Sequence, residues 1–123
     1  MSLQYTIHHD GQTLRSEATG QNASFEEMQE YSKAIAMSAI QHQSRFVLCD
    51  EIALFHNVGI AETYRMAEQL TVFAKFEIRV VLICNEHTYE RAKFYETAAV
   101  NRGMQMKVFL QKEDAEQWLF SEQ

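Results

Sequence analysis

The sequence predicts an α/β fold: a mixed, mainly parallel sheet of about five strands with an N-terminal antiparallel hairpin and four helices. Three observations carry the α/β assignment. Two apolar runs, FVLCD (46–50) and IRVVLIC (78–84), show no alternation, as expected of strands covered on both faces. Segments of helical period separate the strand signals, which calls for right-handed crossovers and parallel pairing. An alternating segment at the start of the chain is followed by Asp10-Gly11, a hairpin turn signal.

The elements follow in order. Residues 4–8 alternate and are rich in strand formers, and 12–18 return as the second strand. Ser24 followed by Glu27 fits a capping box, opening a helix to about residue 42. Its inward stripe is Phe25, Met28, Ser32, Ile35 and Ala39. After the strand at 46–50, EIALFHNVG reads as a connection into a long helix, 59–76. There Ile60, Tyr64, Ala67, Leu70 and Ala74 share a face, beside Met66 and Phe73. The strand 78–84 leads to a helix from Asn85 to Arg102, with Gly103 as its left-handed C-cap. The last strand is 106–110, and a short helix spans 113–120 with Ala115, Trp118 and Leu119 inward. One domain, 1–123, accounts for the chain.

Composition limits the function classes. With 46% hydrophobic and 11% aromatic residues the chain is not disordered. Two cysteines make no disulfide framework, and without a CxxC pattern structural zinc loses its main support. A net charge of -6 argues against a general nucleic-acid binder. No apolar run approaches the roughly 20 residues of a membrane span. Cys49 and Cys84 lie in apolar runs and read as buried, reduced thiols. The start MSLQYTIHHDG has no basic segment before an apolar core, so a cytoplasmic protein is expected.

Open α/β sheets bind ligands beyond the carboxyl ends of their strands. Asp50 and Glu51 follow the third strand, Asn85 and Glu86 the fourth, Gln111 and Lys112 the fifth. The ligand- or partner-binding candidates are Asp50, His56, Asn57, Gly59 and Asn85. Asp50 would act as base or metal ligand in a functional reading; the ordinary reading is a cap on backbone amides. Asn57-Val58-Gly59 at a helix start offers free amides to an anion, though with one glycine the signal is weak. Asp50, His56 and Asn85 would serve an enzyme only if they converged on one cleft. His8 and His9 point to opposite faces of a strand and cannot share an ion, and Cys49 alternates away from Asp50 into the packed layer. No metal, cofactor or catalytic residue is expected. Met104 and Met106 suit core gaps.

The wording of the second half resembles a known family. FVLCD, GIAETYRMAEQL, IRVVLIC, AKFYETAAVNRG (92–103) and DAEQWL (114–119) look like the SpoIIAA-like group of STAS-related proteins. The resemblance implies a mixed sheet with helices wound along it. It also implies a regulatory or protein-interaction module rather than an enzyme. In anti-sigma factor antagonists, a serine in a D-S-S-G-like motif after the third strand is phosphorylated by a partner kinase. The matching stretch here is His56-Asn57-Val58-Gly59. Gly59 fits, but Asn57 stands where the modified serine would be, so no phosphorylation site is expected. A homodimer or another protein partner is expected, with no cofactor. The alternative is a carrier for a small hydrophobic ligand or nucleotide, bound in a cleft at the carboxyl ends of the third and fourth strands. Related domains are grouped by fold with CRAL-TRIO lipid carriers, and Phe55, Tyr64, Phe73 and Phe76 could line such a pocket.

Overall fold

The computed structural model describes residues 2–121, apart from the side chains of 71–73. A hairpin of β1 (Gln4–Asp10) and β2 (Thr13–Ala23) precedes α1 (Phe25–Gln41) and β3 (Phe46–His56). Next come α2 (Ile60–Gln69), a 3-10 segment (Thr71–Phe76) and β4 (Arg79–Ile83). The chain ends with α3 (Tyr89–Val100), β5 (Gln105–Phe109) and α4 (Lys112–Leu119). The strands lie in the order β1-β2-β3-β4-β5. β1 pairs antiparallel with β2 and all other pairs are parallel, as the continuous apolar runs predict.

Two layers of helix cover the sheet unequally. On one face α1, α2 and α3 pack over Val47, Cys49, Leu54, Leu82, Met106 and Val108. On the other, α4 alone seats Ala115 and Leu119 on Leu48, Val81 and Ile83. The alternation in β4 is thus Val80 and Leu82 toward three helices, Val81 and Ile83 toward one.

Ser24 caps α1 as the sequence predicts. Its hydroxyl accepts from the Glu27 amide at 3.1 Å, and the Glu27 carboxylate accepts from the Ser24 amide at 3.0 Å. That carboxylate also accepts from the Ser2 hydroxyl at 2.6 Å and from the Ser2 and Leu3 amides. The Ser2 hydroxyl first, then the Ser24 and Leu3 amides, hold the carboxyl down at about 2. Ser2 can lie so close only because residue 20 is glycine: a Cβ there would meet the Ser2 carbonyl oxygen.

Several boundaries differ from expectation. Asp10 pairs with Thr13, so the two-residue turn is Gly11-Gln12, and Gly11 takes the positive φ of 63°. The helix expected over 59–76 ends at Gln69 and tightens into the 3-10 segment, stopped by Glu77 in the left-handed region. Its buried face is Thr63, Met66, Ala67 and Leu70, leaving Ile60 and Tyr64 outward. Thr63 turns inward because its hydroxyl is satisfied locally, donating to the Gly59 carbonyl at 2.8 Å. Asn85 does not begin α3; it sets a turn, and its side-chain oxygen accepts from the Thr88 amide one residue before the helix. Gly103 does end that segment at positive φ.

The largest difference concerns β3. It does not stop at Asp50 but continues to His56, pairing with β2 through Thr19, Gly20 and Ala23. Glu17 pairs with Asp50 and Thr19 with Ala53, so Ala18 faces both Glu51 and Ile52: a bulge on β3. A bulge of one residue reverses the parity of a strand. Val47, Cys49 and Glu51 point toward α1–α3 before it, and Leu54 and His56 do so after it.

Candidate functional site

A cavity of about 110 Å³ lies between the sheet and α1, α2 and α3. Met28, Tyr31 and Ile35 of α1 form one wall, and Thr63, Met66 and Leu70 of α2 another. Arg91 and Tyr95 close it from α3, while Cys49, Glu51, Leu82 and Met106 form its floor. Most of these groups are apolar. Glu51 is the acidic side chain on the floor, turned there by the same alternation that turns Val47 and Cys49 inward, and the bulge after it returns His56 to that side.

Burial pushes the Glu51 carboxyl up to about 7, and the nearby Asp50 charge adds to this. The Tyr31 hydroxyl opposes them by hydrogen-bonding the charged form. Tyr31 is itself 2% exposed, and its hydroxyl lies 2.7 Å from that of Ser16. The line Ser16–Tyr31–Glu51 thus connects the floor of the sheet to the cavity. Burial raises the Tyr31 and Tyr95 hydroxyls well above the usual phenol range. It also pushes Cys49 up to about 12 and Cys84 to about 11, so both thiols stay protonated and weakly nucleophilic near neutrality.

The five sequence candidates do not form one cluster. Asp50 points away from the cavity, and its carboxylate accepts from the Ile52 amide at 3.2 Å within the bulge. Asn85 donates to the Ile52 and Leu54 carbonyls at 2.8 and 3.0 Å. β4 has ended there, so Asn85 satisfies carbonyls that the sheet no longer reaches. Both residues hold the bulged end of β3 in place. His56 lines the cavity, and its Nδ1 accepts from the Val58 amide at 3.2 Å. Burial first, then His87 and Arg91, lowers its pKa. Asn57 is exposed. The Gly59 amide donates to Glu62 at 3.1 Å, which uses one of the amides open to an anion. Asp50, His56 and Asn85 therefore lack the convergence an enzyme would need.

The aromatic lining also differs from expectation. Tyr64 and Phe76 are exposed, Phe55 lies tilted against the His87 ring at 5.8 Å, and the Phe73 side chain lies outside the described residues. Tyr31 and Tyr95 line the cavity instead. Tyr31 was open to discovery, since it sits between Met28 and Ile35 at helical spacing. Elsewhere, His9 bonds Ser38 at 2.8 Å and stacks on His42 at 3.6 Å, while His8 faces solvent. Among the described residues no three His, Cys, Asp or Glu side chains are grouped to hold a metal. No described helix is long and apolar enough to cross a membrane.

Comparison with solved structures identifies the architecture. An anti-sigma factor antagonist from Mycobacterium paratuberculosis superposes with a TM-score of 0.64 at 12% identity, covering 98% of this chain and 96% of that one. The fold is SpoIIAA-like. A Shewanella loihica protein of the DUF3478 family, described as uncharacterized with a SpoIIAA-like fold, matches with a TM-score of 0.57. Its identity is 20%, over 96% of this chain and 94% of that one. No family model matches the chain, and no curated protein matches it in sequence. At these identities the likeness is one of fold.

Proposed function

We propose that the chain is a non-enzymatic regulatory or protein-interaction module of STAS-like type, working without a phosphorylatable serine, inside the cell and with a second copy or another protein as partner. The observation that carries this reading is the surface at the start of α2. Asn57 is exposed there, and Ile60 and Tyr64 follow at 55% and 44% exposure. The Arg102 guanidinium lies over the Tyr64 ring at 4.3 Å, which holds the ring in place while it stays partly exposed. Fixed, partly exposed aromatics beside aliphatic groups are what protein contacts use. Asn57 lacks the hydroxyl that a kinase modifies, so partner choice here does not turn on phosphate charge. Sedimentation over a concentration series tests the reading. We expect association that Ile60→Asp weakens. A strict monomer that recovers no specific partner from extract would count against it.

A second reading is favoured by a separate observation, the cavity. Its walls are largely apolar, and His56 and Val58, from the segment leading into α2, form part of them. A small hydrophobic ligand held there would touch the same segment that carries Asn57. The expected signal is a shift in melting temperature and in the backbone resonances of 56–60 on adding a small apolar compound. Unchanged resonances at saturating compound would dispose of this reading.

A further inference from the structure

We infer that the cavity beneath α1, α2 and α3 takes a small aliphatic amine, its ammonium group against the Glu51 carboxylate and its carbon skeleton among the apolar walls. The inference deepens the second reading above and rests on it.

Size sets the first limit. A dry engineered cavity of about 150 Å³ admits benzene. One of about 110 Å³ suits a ligand of four or five heavy atoms. Charge sets the second. Tyr31 from α1, Cys49 and Asp50 from β3, Cys84 after β4 and Tyr95 from α3 interact with Glu51. All are acidic or neutral groups. α2 brings Thr63, Met66 and Leu70, none of which titrates. Arg91 and His56 also line the cavity, but Arg91 is committed to the Val58 carbonyl at 3.0 Å, and neither is among the groups acting on Glu51. A hydrocarbon would leave the carboxylate with the neutral Tyr31 hydroxyl and no opposite charge, and a carboxylate ligand would add a second negative charge. An ammonium group supplies the missing charge and up to three donors, for the carboxylate and the Tyr31 oxygen.

The experiment compares three ligands of one skeleton, isobutylamine, isobutanol and isobutyrate, titrated by NMR against the full chain at about pH 6 and about pH 8. Isobutylamine should bind at least tenfold more tightly than the other two at the higher pH. Its affinity should rise about tenfold between the two pH values, because Glu51 ionises through about 7. Glu51→Gln should remove both the preference and the pH dependence, which also separates Glu51 from His56. Should Glu51→Gln not fold, the pH series on His56→Gln decides: the rise in amine affinity should persist there, and its loss would overturn the assignment to Glu51. Equal binding of amine and alcohol, tighter binding of isobutyrate, or an amine preference that survives Glu51→Gln would overturn the inference while the cavity reading stands. Binding of none of the three would overturn both.

Discussion

The sheet presents two faces to different surroundings. Under α4, Leu48, Val81, Ile83, Ala115 and Leu119 are each at most 2% exposed and form a wholly apolar cluster. Phe46, Phe109 and Trp118 close the margin, and Arg79 lies 4.6 Å over the Trp118 ring while donating to the Trp118 and Ser121 carbonyls. Under α1–α3 the same strands meet Tyr31, Tyr95, two thiols and Glu51 around open space. Close-packed aliphatic side chains maximise dispersion and apolar burial, whereas a half-buried carboxyl beside a void forgoes both. One face is arranged for stability. The other keeps a polar group and a volume that stability alone would have removed, and such departures concentrate at functional sites.

The sharpest way to break the comparison is to empty the closed face. Leu119→Ala should cost about 2–5 kcal/mol in denaturant unfolding, since the residue is fully buried and α4 is the one helix on that side. A cost below about 1 kcal/mol would mean that α4 contributes little. Glu51→Gln should move stability the other way. The gap between about 7 in the fold and the ordinary 4.5, at about 1.4 kcal/mol per pH unit, sets an upper bound of about 3 kcal/mol for this half-buried residue. The unfolded chain releases this proton first, so Glu51 lowers stability progressively as pH rises from about 4.5 to about 7, and the loss is complete above that. The variant should therefore gain up to about 3 kcal/mol at pH 8 and almost nothing at pH 4. Thermal unfolding across that interval checks the sign. Glu27 has the opposite dependence: its carboxyl, held near 2, supports the fold above its ordinary 4.5 and loses that role as pH falls toward 2.

How much of this the sequence could show differs between the two faces. The closed face was legible. The VVLI strand follows from its unbroken apolar run and the inward Ala115, Trp118 and Leu119 from helical spacing, and Val81 and Ile83 meet those three on this face. The cavity was less so, because β3 runs on past Asp50 and His56 reaches the cavity only beyond a bulge. Periodicity assumes constant parity, and the doubling at Glu51 and Ile52 opposite Ala18 breaks it through pairing with β2, a non-local event. Glu51 continues the inward series Val47, Cys49, yet a carboxylate beside Asp50 reads as a polar strand end. Asp50 and Asn85 attracted interest for the same position in the chain, but their side chains serve backbone groups of the bulge. α2 was misplaced by a smaller step. Ile60 and Tyr64 are the larger apolar groups, and only the local satisfaction of Thr63 lets the helix turn them outward.

The bulge itself can be tested through Asn85. Asn85→Ala removes donors to two carbonyls and the acceptor for the Thr88 amide, and should cost about 1–3 kcal/mol. Hydrogen exchange should accelerate in 50–56 more than in β4 or β5. A uniform loss across the sheet would mean that Asn85 supports the fold generally rather than the bulged end of β3.

The smallest expected effect is the most telling about the void. The same change, Ala→Leu, can be made on both faces. At Ala115, fully buried against Leu48 and Val81, the added atoms have nowhere to go, and overpacking should cost about 1–3 kcal/mol or more. Ala92 lies on α3 and lines the cavity. A leucine there projects into space already present, gains contacts with the apolar wall, and improves helix propensity little either way. Its net effect should fall within about 0.5 kcal/mol of zero, the range of substitutions that neither strain nor empty a core. Equal destabilisation at both positions would show that the space under α1–α3 closes in solution. The predicted asymmetry, joined to loss of isobutylamine binding in Ala92→Leu alone, would tie the open volume to ligand binding rather than to imperfect packing.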